Sequence, residues 1–243
     1  MATEELQARI KKVVSEFLGV LNTRNRDIVA RRFGLKSGRR ETLESIGSSY
    51  SITRERVRQI EESSLKQIRE QLSRFRDSIK PFITMVLARL NEGKGIMKES
   101  ALFEIFSGAS KPSPANASLV FILTLDNEIK RHAEDDEFET FWSVSEQRAK
   151  EFVDSVAVVK NAFTKAGAPV SESAGLELYK KSGATLKDHT VFASILTISK
   201  EIGKNVFGDV GLTEWAEIRP RGVRDKSYLV LKREGKPKHF REI

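Results

Sequence analysis

TLESIGSSYSITRERVRQIEESSLKQIRE, residues 42–70, decides how the rest of the chain is read. Leu43 and Ile46 stand at helical spacing and face inward from a short helix. Ser48 to Ser51 form a polar turn, pinned by Ile52. Thr53 is suited to cap the next helix, its hydroxyl meeting a backbone N–H that a helix start leaves free. Along that helix Val57, Ile60, Ser64 and Ile68 recur on one face. Arg54 with Arg58, and Glu55 with Gln59, form i,i+4 pairs on the outer side. Two helices joined by a tight turn, the second with Arg, Glu and Gln near its N-terminus, is how a major-groove reader is built. The chemistry fits: Arg forks onto guanine O6 and N7, Gln pairs with adenine, and Glu accepts from cytosine N4–H. Arg56, Arg39 and Arg40 suit backbone phosphates, which position a domain without reading sequence. Lys66 extends the same outer set along the helix. The bland alternative is a charged face that meets only solvent.

Upstream, Ile10, Val13, Val14, Phe17 and Leu18 mark a first amphipathic helix. A second is expected from about Arg24 to Phe33, with Ile28 and Val29 inward and Gly34 at its C-terminal cap. KSGRR, residues 36–40, is then a polar turn.

RNRDIVARRFGL (24–35) followed by TLESIGSSYSITRERVRQIE (42–61) resembles region 4 of the sigma-70 class of bacterial transcription initiation factors, over about residues 20–72. The resemblance implies a helix-turn-helix that reads the promoter −35 element in double-stranded DNA and docks on the flap of the RNA polymerase β subunit. Carried over by position, it places Arg54, Glu55, Arg58 and Gln59 at the bases or adjacent phosphates, and Leu43, Ile46, Val57 and Ile60 in the scaffold; Thr53 is counted with the DNA-binding set. The chain departs from the family in one respect. No aromatic-rich helix of the kind that melts the −10 element is visible, so promoter opening unaided is not expected.

The charge distribution agrees with a nucleic-acid reader at this end. The 243 residues carry a net charge of +8, unevenly spread. Residues 1–80 hold 18 Lys+Arg against 11 Asp+Glu, residues 81–218 hold 15 against 20, and residues 219–243 hold 9 against 3. The chain is therefore basic, acidic, then basic. With no cysteine, thiol nucleophiles and thiolate zinc sites are excluded, and 3 widely spaced histidines do not point to a histidine metal cluster. No apolar run has membrane-spanning length. The opening MATEELQARIKKVV lacks the order of a signal peptide, so a cytoplasmic location is expected.

The acidic middle repeats. At a shift of 73 residues MKESALFEIF (97–106) lies over VSESAGLELY (170–179), ILTLDNEI (122–129) over ILTISKEI (195–202), and Trp142 over Trp215. Each copy reads as three helices (about 78–91, 98–107, 115–127; then 147–166, 171–181, 188–200) and a two-stranded wing, turning at EDDE (134–137) or FGD (207–209). The predicted fold is thus mainly α: a helix-turn-helix domain (1–77), then two tandem winged helix-turn-helix units (78–145 and 146–218) with short β wings. Residues 97–142 hold 4 basic against 9 acidic side chains. A wing this acidic would be repelled by phosphates, so protein partners are favoured over DNA for these units. Trp142 and Trp215 are expected to be packing anchors behind the wings.

Residues 219–243 are a basic tail with two readings: Glu234–Pro237 as the turn of a hairpin, or, preferred, a helix over Asp225–Glu234 burying Tyr228, Leu229 and Leu231, a Gly235 cap, and a fresh helix at Phe240 after Pro237. LKREGKPKHFREI resembles the opening of the winged-helix module called HARE-HTH, which occurs in chromatin-associated proteins, restriction enzymes and the delta subunit of bacterial RNA polymerase. On that reading the chain breaks off after the first helix of a truncated third unit.

Together these features point to a non-enzymatic DNA-binding transcription regulator. The alternative is an RNA polymerase-binding adaptor, anti-sigma-like or delta-like, that does not read sequence. No P-loop, nucleophile elbow or carboxylate cluster with metal-ligand spacing is present, so no catalytic residue, cofactor or metal is expected.

Overall fold

The first helix, α1 (Thr3–Gly19), owes its place to Ile10, Val13, Val14 and Phe17, which are buried along one face. The computed structural model describes residues 3–126, 128–236 and 239. These form two compact units, Met1–Glu92 with Glu99–Arg131, and Gly93–Lys98 with His132–Ile243. The described residues are mainly helical with small antiparallel sheets, compatible with two winged helix-turn-helix units behind a helix-turn-helix.

In the first unit α1 is followed by α2 (Thr23–Phe33), α3 (Leu43–Tyr50), α4 (Arg54–Glu70) and α5 (Leu72–Glu92). Caps set these boundaries. Asn22 Oδ1 accepts from Asn25 N at 2.9 Å, and Gly34, at φ 69°, ends α2 in the left-handed conformation. Thr42 caps α3 and Thr53 caps α4. The turn is shorter than Ser48–Ser51: α3 continues through Tyr50, and Ser51 alone turns left-handed, at φ 53°. α5 begins at Leu72, earlier than the expected residue 78, because Phe75 packs edge-on to Phe17 with centroids 4.9 Å apart.

The same unit contains α6 (Glu99–Ser107) and α7 (Pro114–Leu125). Ser113 caps α7, and Pro114 occupies its first turn. Every residue from Ala115 to Leu123 is buried, as is Leu125. A helix apolar on all sides belongs inside a core. α7 packs against α1, α2, α4 and α6, and Phe121 meets Phe33 edge-on at 5.0 Å.

In the second unit, β1 (Ile96–Lys98) pairs antiparallel with β3 (Phe141–Ser143), Ile96 opposite Ser143. The sheet order is β1-β3-β2, with β2 at Lys130–His132. α8 (Glu146–Ala166), α9 (Glu172–Lys181) and α10 (His189–Ile198) surround a core of Phe152, Val156, Tyr179, Phe192 and Ile195. The second sheet is β4 (Val170–Ser171), β6 (Asp209–Leu212) and β5 (Ile202–Lys204) in that order. α11 (Val223–Glu234) follows, capped by Gly235 at φ 68°. Of its expected core residues only Leu229 is buried, and Tyr228 is 53% exposed. The helix expected at Phe240, and Pro237 before it, lie outside the described residues.

The helices keep the 73-residue shift, α6 starting at Glu99 and α9 at Glu172, but the wings do not. Residues 133–140 separate β2 from β3, whereas 205–208 separate β5 from β6. Trp142 therefore sits within β3, fully buried, while Trp215 lies beyond β6 and is partly exposed. Its ring covers Gly211, where an added Cβ would come within 2.6 Å. The two tryptophans both pack, but not at equivalent positions.

Candidate nucleic-acid interface

The helix-turn-helix is built on a small core of Ile28, Ile46, Val57 and Ile60, with Leu43, Tyr50 and Ile52 against it. The turn is close enough to demand glycine at 47, where a Cβ would stand 2.7 Å from the Ile52 carbonyl oxygen. α4 buries Val57, Ile60, Ser64 and Ile68, which turns the opposite face outward. Arg54, Glu55, Arg56, Arg58, Gln59 and Lys66 are all exposed there. Thr53 starts the helix, its Oγ1 accepting from Arg56 N at 3.1 Å.

An ionic frame holds this face in register. Arg31 makes a two-pronged bond to Glu41 (2.9 and 2.6 Å) and also donates to Ser49. Arg32 pairs with Glu61 of α4 at 2.9 Å. Tyr50 donates its hydroxyl to Asp27 at 2.8 Å, and Lys36 pairs with the same carboxylate at 3.0 Å. Lys36 first, then Tyr50, hold the Asp27 carboxyl below its ordinary 3.8 against the opposing effect of burial. The Arg31 bond does the same for Glu41. These positioning residues went unnoticed in the sequence. ARRF looks like a run of surface cations, and only the fold brings Glu41 and Glu61 to them.

On the outer face the polar groups are bonded to one another. Arg58 donates to Glu55 from Nε and Nη2 (3.0 and 2.8 Å) and to Glu62 from Nη1 at 3.3 Å. Its hydrogen bond is the main reason the Glu55 carboxyl lies below its ordinary value. Arg56 donates to Gln59 Oε1 at 3.1 Å. The base-reading candidates are thus mutually oriented on the helix, and a duplex would exchange these bonds for its own.

The remaining two sites diverge. Arg39 is exposed on the 36–40 loop, where Ser37 Oγ bonds both its N–H and its carbonyl. Arg40 lies over the Phe33 ring, 5.7 Å from the centroid, away from the α4 set. Among the described residues no group of His, Asp or Glu is arranged to hold a metal ion, and no helix is long and apolar enough to cross a membrane.

The fold and this face define a helix-turn-helix module, and comparison with known families specifies which. Residues 17–70 match the family described as Sigma-70, region 4. Over 60 residues, 25% of this chain, it is 42% identical to the RNA polymerase sigma factor SigA of Microcystis aeruginosa, covering 14% of that protein. It is 48% identical to SigA1 of Synechococcus elongatus over 52 residues, which are 21% of this chain and 13% of that protein. With SigA of Lactococcus lactis subsp. cremoris the identity is 38% over 60 residues, 25% and 16% of the two chains. The chain therefore spans a small fraction of the curated relatives it matches.

Proposed function

We propose that the chain is a non-enzymatic, DNA-binding transcription regulator that works with bacterial RNA polymerase, and that α4 reads −35-like promoter duplex. The observation that carries this is the outer face of α4: capped by Thr53, framed through Arg32–Glu61, and presenting Arg54, Glu55, Arg56, Arg58, Gln59 and Lys66 together. In this reading Arg58, Gln59 and Glu55 meet base edges, while Arg54, Arg56, Lys66 and Arg39 meet phosphates.

The apolar side of the matched segment supports the same choice. It is covered by α7, while the charged side of α4 stays exposed. The adaptor reading, RNA polymerase docking without base reading, draws on the internal pairing of Arg58 with Glu55 and Glu62. The acidic wing suits protein partners over DNA. Glu134 to Glu137 are exposed, with Lys200 on Glu134 at 2.6 Å as a local counter-ion.

Anisotropy titration of a −35-like duplex, against a scrambled duplex and against core RNA polymerase without DNA, separates the two. A preference for the −35-like duplex that Arg58→Ala removes supports base reading. Equal binding to both duplexes by mutant and wild type refutes it. Binding to core alone, with no duplex affinity, favours the adaptor.

A further inference from the structure

The end of the second unit differs in charge from the helices and wings before it. Residues 219–236 hold 7 Lys+Arg against 2 Asp+Glu, and all 7 cations are exposed. Arg219, Arg221, Arg224 and Lys226 gather around the start of α11, and Lys232 and Arg233 stand in its last turn. Carboxylates close by are already engaged. Glu217 takes Lys232 at 3.3 Å, and Asp225 accepts from the Arg221 backbone N–H at 3.0 Å.

Beside the end of α11 the second wing adds an apolar point. Asn205 is buried, and both ends of its amide hold the turn between β5 and β6. Its Oδ1 accepts from Phe207 N and Asp209 N, each at 2.9 Å, and its Nδ2 donates to the Glu217 carbonyl at 3.0 Å. Gly208 closes the turn at φ 91°. A turn fixed in this way keeps Val206 88% exposed instead of letting it fold back, and leaves Phe207 36% exposed. Arg233 lies over the Phe207 ring, 5.6 Å from its centroid, so a cation and an apolar tip are presented side by side. The wing of the first copy is tipped by Glu134 to Glu137 instead.

We propose that α11 and the 205–208 turn form a second nucleic-acid contact, one that grips duplex DNA irrespective of sequence. The cations of α11 meet phosphates. The tip of the turn lies in the minor groove, where apolar side chains beside arginine pack against sugars and base steps. α11 is about 18 Å long, roughly the rise of five base pairs, so the cations at its two ends reach phosphates along one stretch of duplex. An anionic bilayer would attract the same cations. Val206 and Phe207, however, offer less apolar area than a single acyl chain, itself only a marginal anchor. This contact stands whether or not α4 reads bases.

Fluorescence anisotropy of the full chain on a labelled scrambled duplex tests it. The first variant joins Arg219→Gln, Arg221→Gln, Arg224→Gln and Lys226→Gln. It is expected to bind about tenfold or more weakly at roughly 100 mM salt, with the slope of log K against log salt shallower by at least about 0.9. The second, Val206→Asp, sets an anion at the tip and is expected to weaken binding about threefold or more. If the fourfold variant melts far below wild type, Arg221→Gln with Lys226→Gln replaces it and must also weaken binding. Wild-type affinity in either the charge variant or Val206→Asp overturns the proposal. So does tighter binding of the wild type to phosphatidylglycerol–phosphatidylcholine vesicles than to duplex. A preference for −35-like over scrambled duplex reads α4 alone, so its absence leaves this result intact.

Discussion

If α4 lies on duplex DNA as proposed, salt must reveal how many phosphates it touches. The cations available on this face are Arg54, Arg56, Arg58 and Lys66 of α4, all exposed. Counting each as one phosphate contact gives a slope of log K against log salt of about −3.6, or about a 150-fold loss of affinity between roughly 50 and 200 mM salt. Arg58 is the informative member. As a phosphate contact its removal would shallow the slope by about 0.9 and weaken all sequences alike. As a base contact its removal would leave the slope nearly unchanged. It would cost roughly ten- to a hundredfold on the preferred duplex, and little elsewhere. Because Arg58 already pairs with Glu55 and Glu62, replacing Glu62 by Gln should tighten non-specific binding by removing a competing anion. Fluorescence anisotropy with labelled duplex, at several salt concentrations and for each variant, measures all of this. A wild-type slope shallower than about −1 would refute the reasoning outright, since the face would then not be meeting phosphates.

Other perturbations test the frame beneath that face. Gly47→Ala forces a Cβ to 2.7 Å from the Ile52 carbonyl and should destabilise the fold by about 1–3 kcal/mol in urea titration. Asp27 and Glu41 are stronger acids folded than unfolded. The stability they contribute is therefore complete above their ordinary values, 3.8 and 4.5, and is lost as pH falls through the lower folded values. Asp27→Asn should accordingly flatten the acid limb of a pH–melting curve while leaving a neutral-pH transition measurable. Trp142→Ala, emptying a fully buried site, should cost about 3–5 kcal/mol, and Trp215→Ala distinctly less, while iodide should quench only the Trp215 emission in wild type.

α4 was legible because two independent signals stand side by side: a capping Thr53 and, four residues on, the start of the Val57–Ile60–Ser64–Ile68 period. The end of α3 was less so. The Ser48–Ser51 run reads as a turn, yet Tyr50 stays helical, where its hydroxyl reaches Asp27 across 23 residues of sequence. Nothing local signals that contact. Likewise the LSRFRD stretch at 72–77 lacks a helical period of its own and joins α5 through Phe75 on Phe17. The two tryptophans were aligned by an ungapped shift that serves the helices well. Hairpins absorb insertions at their turns, so the shift fails in the wings. Of the candidate site, the α4 set is displayed together on one face. Arg40 is drawn elsewhere by the left-handed Gly38, whose effect depends on Ser113 from a distant part of the chain.

The burial of α7 bears on how this chain can be taken apart. Residues 17–70 match a family by themselves, which invites grafting them elsewhere. Here the segment is packed into its host. Phe17 and Phe33 both set their rings against Phe121 of α7, at 6.5 and 5.0 Å. Excision at residue 70 would bare that aromatic seam to water, and a fragment with such a seam tends to self-associate. A transplant that keeps this segment soluble would need to carry α7 with it, or rewrite the two phenylalanines it covers.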